Sequence, residues 1–106
     1  MPIFVLMTRL DAASMRDAGG RRRTGKEWLL RVKKTCPEVT WIAHYALLGP
    51  YDFMDIYEAP DVETAQRVSL ISRAEGALSA ESWPALRYEE YLASLDDVSG
   101  KPKRKR

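Results

Sequence analysis

The chain is predicted to be an α+β domain of element order β-α-β-β-α-β, in which a four-stranded antiparallel sheet carries two helices on one face. Three observations lead there. Between Leu47 and Asp61 the sequence ends one strand, turns at Gly49-Pro50, runs a second strand to Glu58, breaks it at Pro60 and places Asp61 where a helix N-cap belongs. A helical period from Lys26 to Cys36 separates this hairpin from an apolar N-terminal strand, and a second helical period from Val62 is followed by Gly76 and another strand-like run. Together they spell the split β-α-β, ferredoxin-like unit.

Ile3 to Leu10 is β-branched and apolar, too short for a buried helix, and ends at the polar Asp11. Residues 12–16 suit a helical turn, whereas Gly19-Gly20 and Gly25 interrupt a long helix, so Arg21-Arg22-Arg23 is expected in a loop. From Lys26 to Cys36 the positions Trp28, Leu29, Val32 and Cys36 share a face, Lys33 and Lys34 suit the C-terminal end of the dipole, and Pro37 stops the helix. Val39 to Leu48 alternates Val39, Trp41, Ala43, Tyr45 and Leu47 on one face with Thr40, Ile42, His44, Ala46 and Leu48 on the other. Asp52 to Glu58 is its hairpin partner. The helix from Val62 to about Arg73 offers a narrow stripe of Val62, Ala65, Val68, Ser69 and Ser72, and Gly76 ends it. Ala77 to Trp83 is a weak fourth strand, with Pro84 fit for an edge. A terminal helix from Tyr88 to Leu95 would turn Tyr91, Leu92 and Leu95 inward.

At 106 residues the chain is one domain with a single two-layer core. No apolar run approaches the ~20 residues of a membrane span. The start, Met1-Pro2 running straight into a strand, carries no basic leader, and the single cysteine, Cys36, forms no internal disulfide; both predict a cytoplasmic protein without membrane contact. Charge is segregated: nine Lys/Arg face four Asp/Glu in residues 1–40, three face nine in 41–95, and five face two in 96–106. The domain over 1–95 is therefore close to neutral, and the basic pI comes from a tail, 96–106, whose composition predicts disorder.

Both faces of the second strand are largely apolar, yet helices cover one face only. The exposed side is expected to meet a second copy, sheet against sheet, so the predicted partner is the chain itself, as a homodimer or higher homo-oligomer. The motif Gly49-Pro50-Tyr51-Asp52, followed by Glu58-Ala59-Pro60-Asp61, resembles the GYD-domain family, and the resemblance runs over residues 1–95. It implies a dimeric α/β barrel without a generally established activity. A similar hairpin occurs in the ligand-binding domains of leucine-responsive-type regulators, which bind amino acids at subunit interfaces; no helix-turn-helix accompanies it here. The family's Thr-x-Thr in the last strand is replaced by Ala80-Glu81-Ser82.

Candidate ligand-binding residues are His44, Tyr51, Asp52, Asp55 and Tyr57. Asp52 suits a turn cap that accepts backbone N–H bonds, or, with Tyr51, the mouth of a pocket at the dimer interface. His44, the single histidine, suits either a hydrogen-bonded interior position or a cavity shared with Asp55 and Tyr57. Pairing Leu48 with Phe53 would set His44 opposite Tyr57 and Ala46 opposite Asp55. Arg9 is a candidate partner for the mid-strand carboxylate of Asp55. One histidine with one carboxylate predicts no metal site, and no cofactor is expected. The expected function is binding of a small ligand at or near the dimer interface, or service as an assembly module. A cofactor-independent isomerase or monooxygenase-like enzyme is the alternative carried by fold analogy. Weak nucleic-acid contact through Lys101-Pro102-Lys103-Arg104-Lys105-Arg106 is a third.

Overall fold

The computed structural model describes residues 1–11, 13 and 18–100. Strands β1 (Ile3–Leu10), β2 (Thr40–Ala46), β3 (Phe53–Glu58) and β4 (Ala77–Ala85) form one sheet in the order β2-β3-β1-β4, antiparallel throughout. Helices α1 (Ala18–Thr35) and α2 (Val62–Ala74) link them, and α3 (Tyr88–Ser99) follows β4. The expected α+β, ferredoxin-like order is therefore present. The helical turn expected over 12–16 falls outside the described residues except at Ala13, and so does the basic run 101–106. Among the described residues no helix is long and apolar enough to cross a membrane.

The helix α1 corrects one expectation. It runs through Gly19, Gly20 and Gly25 and takes in Arg21-Arg22-Arg23, which are helical rather than looped. Glycine costs ~1 kcal/mol against alanine in a helix interior, but each added residue also adds a backbone hydrogen bond. Burial of Val32 and Cys36 and packing of Trp28 against the core anchor the helix, and propagation carries it back to Ala18.

The second helix starts where the sequence places it. Asp61 accepts the Thr64 N–H at 2.8 Å and its hydroxyl at 2.6 Å, which holds the Asp61 carboxyl below its ordinary pKa. Its inward face is Thr64, Ala65, Val68, Ile71 and Ser72, whereas Val62 stays exposed. Phe4, Leu6, Val32, Cys36, Tyr57, Ala59, Ala65, Val68 and Ile71 make the core between sheet and helices. Ser82, the hydroxyl retained from the Thr-x-Thr pair, ties this layer together. Its Oγ lies 2.7 Å from the Tyr57 hydroxyl and 2.7 Å from Ser69 Oγ.

Two further corrections concern the hairpin. The register pairs Ala46 with Phe53 and His44 with Asp55, rather than Leu48 with Phe53 and His44 with Tyr57. The loop is wider because Asp52 is not a strand residue: its N–H donates to Thr8 O at 2.8 Å, and its carboxylate accepts the Leu10 N–H at 2.7 Å. Both bonds tie the turn to the end of β1, while Leu47 N–H closes the loop on Asp52 O at 2.8 Å and Gly49 supplies a φ of 152°. The second correction is a β-bulge between Trp41 and Ala43, where β2 holds one residue more than β3. It breaks the strict alternation, so Trp41 and His44 lie on the same face, with rings 5.0 Å apart.

Among the described residues no helix covers the far face of the sheet. Tyr45 and Trp83, 52% and 43% exposed, stand there, and Tyr51 meets Trp83 edge-on at 5.8 Å. No residue of α3 is buried, so Tyr91, Leu92 and Leu95 do not turn inward as expected. After Arg87 the helix leaves the sheet edge, and its apolar stripe finds no surface within the described chain.

Candidate functional site

A pocket of about 320 Å³ opens between the helix-bearing face of the sheet, the N-terminal half of α1 and the C-terminal end of α2. Thr8, Leu10, His44, Phe53, Asp55 and Ala77 contribute from the strands. Arg21, Thr24, Gly25, Trp28 and Leu29 line it from α1, and Ser72, Glu75 and Gly76 close it at the end of α2. The volume lies at the lower end of the ~300–1,000 Å³ typical of small-molecule sites.

The polar centre is a pair. His44 Nδ1 lies 2.7 Å from Asp55 Oδ1, on residues placed opposite each other by the bulged register. Asp55 is buried, and that burial raises its carboxyl above the ordinary pKa of 3.8, with the hydrogen bond and charge of His44 opposing the rise. The His44 ring is flanked by Trp41 at 5.0 Å and by the edge of Trp28 at 6.4 Å. Trp28 is itself fixed, because its indole N–H donates to Ser72 Oγ at 2.8 Å. At the rim the Arg21 guanidinium lies 5.2 Å from the centroid of the Phe53 ring, and Arg31 holds Glu75 at 2.9 Å.

Of the five residues singled out in the sequence, His44 and Asp55 meet in this pocket. Tyr57 lies on the same sheet face but is fully buried beneath it, its hydroxyl engaged by Ser82 and its pKa pushed up to about 12 by that burial. Asp52 sits at the hairpin turn, bonded to β1. Tyr51 lies on the far face, 3.3 Å from Glu81 Oε2. Asp55 does not pair with Arg9, which is exposed and lies on the opposite face. Among the described residues no group of three or more His, Cys, Asp or Glu gathers as metal ligands would.

Sequence reasoning missed the α1 wall. Arg21, Gly25 and Trp28 stand four and three positions apart, the spacing of one helix face. That signal becomes visible only when the helix is allowed to begin before Gly25. Gly25 also has a use: a Cβ built on it meets nothing within 4 Å, so a side chain there would project into open space.

Solved structures share the architecture. The crystal structure of FFRP-DM1 superposes with a TM-score of 0.54 at 16% identity, over 81% of this chain and 100% of that one. TTHA0845 from Thermus thermophilus gives 0.54 at 21% identity, over 82% of this chain and 95% of that one. At such identities the likeness is one of fold. In sequence, 54 residues are 35% identical to a Thermus thermophilus protein named "Glutamine synthetase and cystathionine beta-lyase binding protein". The match spans 51% of this chain and 57% of that protein, so little more than half of the relative is covered. The GYD domain matches residues 4–95, from the first strand through the Gly49-Pro50-Tyr51-Asp52 turn to α3. The chain belongs to the GYD domain family.

Proposed function

We propose that this protein is a small-molecule binding module whose site is the pocket between α1, α2 and the sheet. The observation that carries the proposal is the His44–Asp55 pair, a buried carboxylate bonded to a half-exposed imidazole and set in otherwise largely apolar walls. Such a combination is what small-ligand sites use: apolar surface for affinity and a few convergent polar groups for orientation. All the residues that line this pocket come from one chain.

The test uses the opening left by Gly25. Gly25→Leu is expected to preserve the fold, because the new side chain enters open space, and to occupy part of the pocket. A library of one- and two-ring aromatic fragments is screened by amide chemical shifts. Binders are expected to perturb Thr24, Trp28, His44 and Asp55 in the wild type, and to lose at least tenfold in affinity in Gly25→Leu. Fragments that bind elsewhere, or equally well to the folded variant, would refute the site.

A second reading, as an assembly module, has its own support. Tyr45 and Trp83 are half exposed on the uncovered sheet face, and the stripe of α3 is unpartnered among the described residues. A second copy laid over that face would cover both, and the relative named for binding two enzymes supports association with other proteins as well. Sedimentation of the wild type at micromolar concentration is expected to give a dimer or larger species, and Tyr45→Glu with Trp83→Glu a monomer. A wild-type monomer would remove the self-association part of this reading.

A further inference from the structure

We propose that the pocket takes a planar weak acid, a phenol- or enol-type hydroxyl compound, and that His44 accepts its proton, with Asp55 as the positioning residue and Arg21 as the counter-charge to the anion formed. The inference rests on the pocket being a ligand site and adds the class of ligand and the direction of proton transfer.

The tautomer follows from the partner. An ionised carboxylate offers only acceptors, so opposite an ionised Asp55 the His44 Nδ1, 2.7 Å away, carries the proton that joins them. A neutral imidazole then has its lone pair on Nε2. No described residue bonds to Nε2, and His44 lines the pocket with its side chain 45% exposed, so an occupant that displaces water there can supply the donor. Trp41 and Trp28 flank the ring and hold it in place.

Charge settles which donor the site favours. When a hydroxyl proton moves to Nε2, an imidazolium forms against the Asp55 carboxylate and an oxyanion forms in the pocket. The imidazolium is stabilised by the buried carboxylate. The charged groups facing this space are Asp55 from β3, Arg21 from α1 and Glu75 from the end of α2. Glu75 is held by Arg31 at 2.9 Å, whereas Arg21 makes no ion pair with a described carboxylate, which leaves its guanidinium for the anion. The walls of Leu10, Trp28, Leu29 and Phe53 suit a flat, apolar body, and 320 Å³ suits one or two rings. The transfer is a proton movement alone and needs no co-reactant.

The experiment uses the full chain with 4-nitrophenol, whose neutral and ionised forms absorb at different wavelengths, and with 4-nitroanisole, which has the same ring but no hydroxyl proton. Equilibrium dialysis measures retention of each, and absorbance gives the ionisation midpoint of bound 4-nitrophenol. Both probes are expected to bind, and the bound phenol to ionise about one pH unit lower than free, a tenfold gain in acidity. His44→Gln, with its fold checked by circular dichroism, is expected to return the midpoint to that of the free probe. Asp55→Asn is expected to do the same while shifting the His44 imidazole ¹⁵N resonances towards the other tautomer. Bound 4-nitrophenol that ionises like free probe, or a shift that survives His44→Gln, would overturn the proton-acceptor role and leave the pocket standing. Retention of neither probe would overturn the pocket and this inference together.

Discussion

Replacing Asp52 by alanine takes away the acceptor of the Leu10 N–H, a 2.7 Å bond between the hairpin turn and the last residue of β1. A hydrogen bond to a charged partner contributes ~1.5–3 kcal/mol, and Leu10 is only partly exposed, so water replaces the lost oxygen incompletely. The other tie, Asp52 N–H to Thr8 O, is backbone and survives the substitution. The expected loss is therefore ~1.5–3 kcal/mol, or ~6–24 °C in Tm for a domain of this size. Asp52→Asn keeps a neutral acceptor and is expected to lose about half as much. Urea denaturation at one fixed protein concentration reads both, the concentration being held because self-association would add to apparent stability. A loss for Asp52→Ala below ~0.5 kcal/mol, the usual effect of a surface change, would refute the role of this carboxylate as the tie between turn and sheet.

Ser82→Ala removes the oxygen shared by Tyr57 and Ser69, leaving the Tyr57 hydroxyl only the Ala65 carbonyl at 3.4 Å; ~1–3 kcal/mol of destabilisation is expected by urea titration. Burial raises the folded-state pKa of Asp55 above 3.8, so the stability linked to its protonated form is complete below 3.8 and is lost as pH rises through the raised value. The unfolding free energy of the wild type minus that of Asp55→Asn is accordingly expected to fall over that interval, and a difference that grows with pH would show the His44 contact outweighing burial. Tyr57, pushed up from 10.0 to about 12, contributes stability that is complete below 10.0 and lost as pH rises through about 12. Tyr57→Phe is expected to abolish this part of the alkaline loss, as read by denaturation between neutral pH and pH 12.

Much of the fold was legible because local signals agreed with one another. Gly49-Pro50, Pro60 and Asp61 marked boundaries within a few residues of the observed β2, β3 and α2. They did so through backbone chemistry that acts locally: a positive φ, a missing donor, a side-chain cap. What was not legible depended on contacts far along the chain. The glycines of α1 weigh against helix at close range, and burial of Val32 and Cys36 with packing of Trp28 outweighs them. His44 and Asp55 could be nominated as partners because strands alternate, but the register that joins them is set by Asp52 reaching β1 and by an extra residue near Ile42. Neither is visible as a pattern of period two. For α3 the apolar stripe was read correctly from sequence, while the surface it was assumed to cover is not one the described chain provides.

The bulge in β2 makes chain length at a single position an address label for four aromatic and imidazole rings. Excising Ile42 would restore perfect alternation and turn either Trp41 or His44 to the other side of the sheet, splitting the cluster they form with Trp28 and Tyr57. Among homologues, a histidine in the His44 column is therefore equivalent to this one only where the additional residue accompanies it. When sequences are aligned, a one-residue gap there marks a different pocket rather than a harmless deletion.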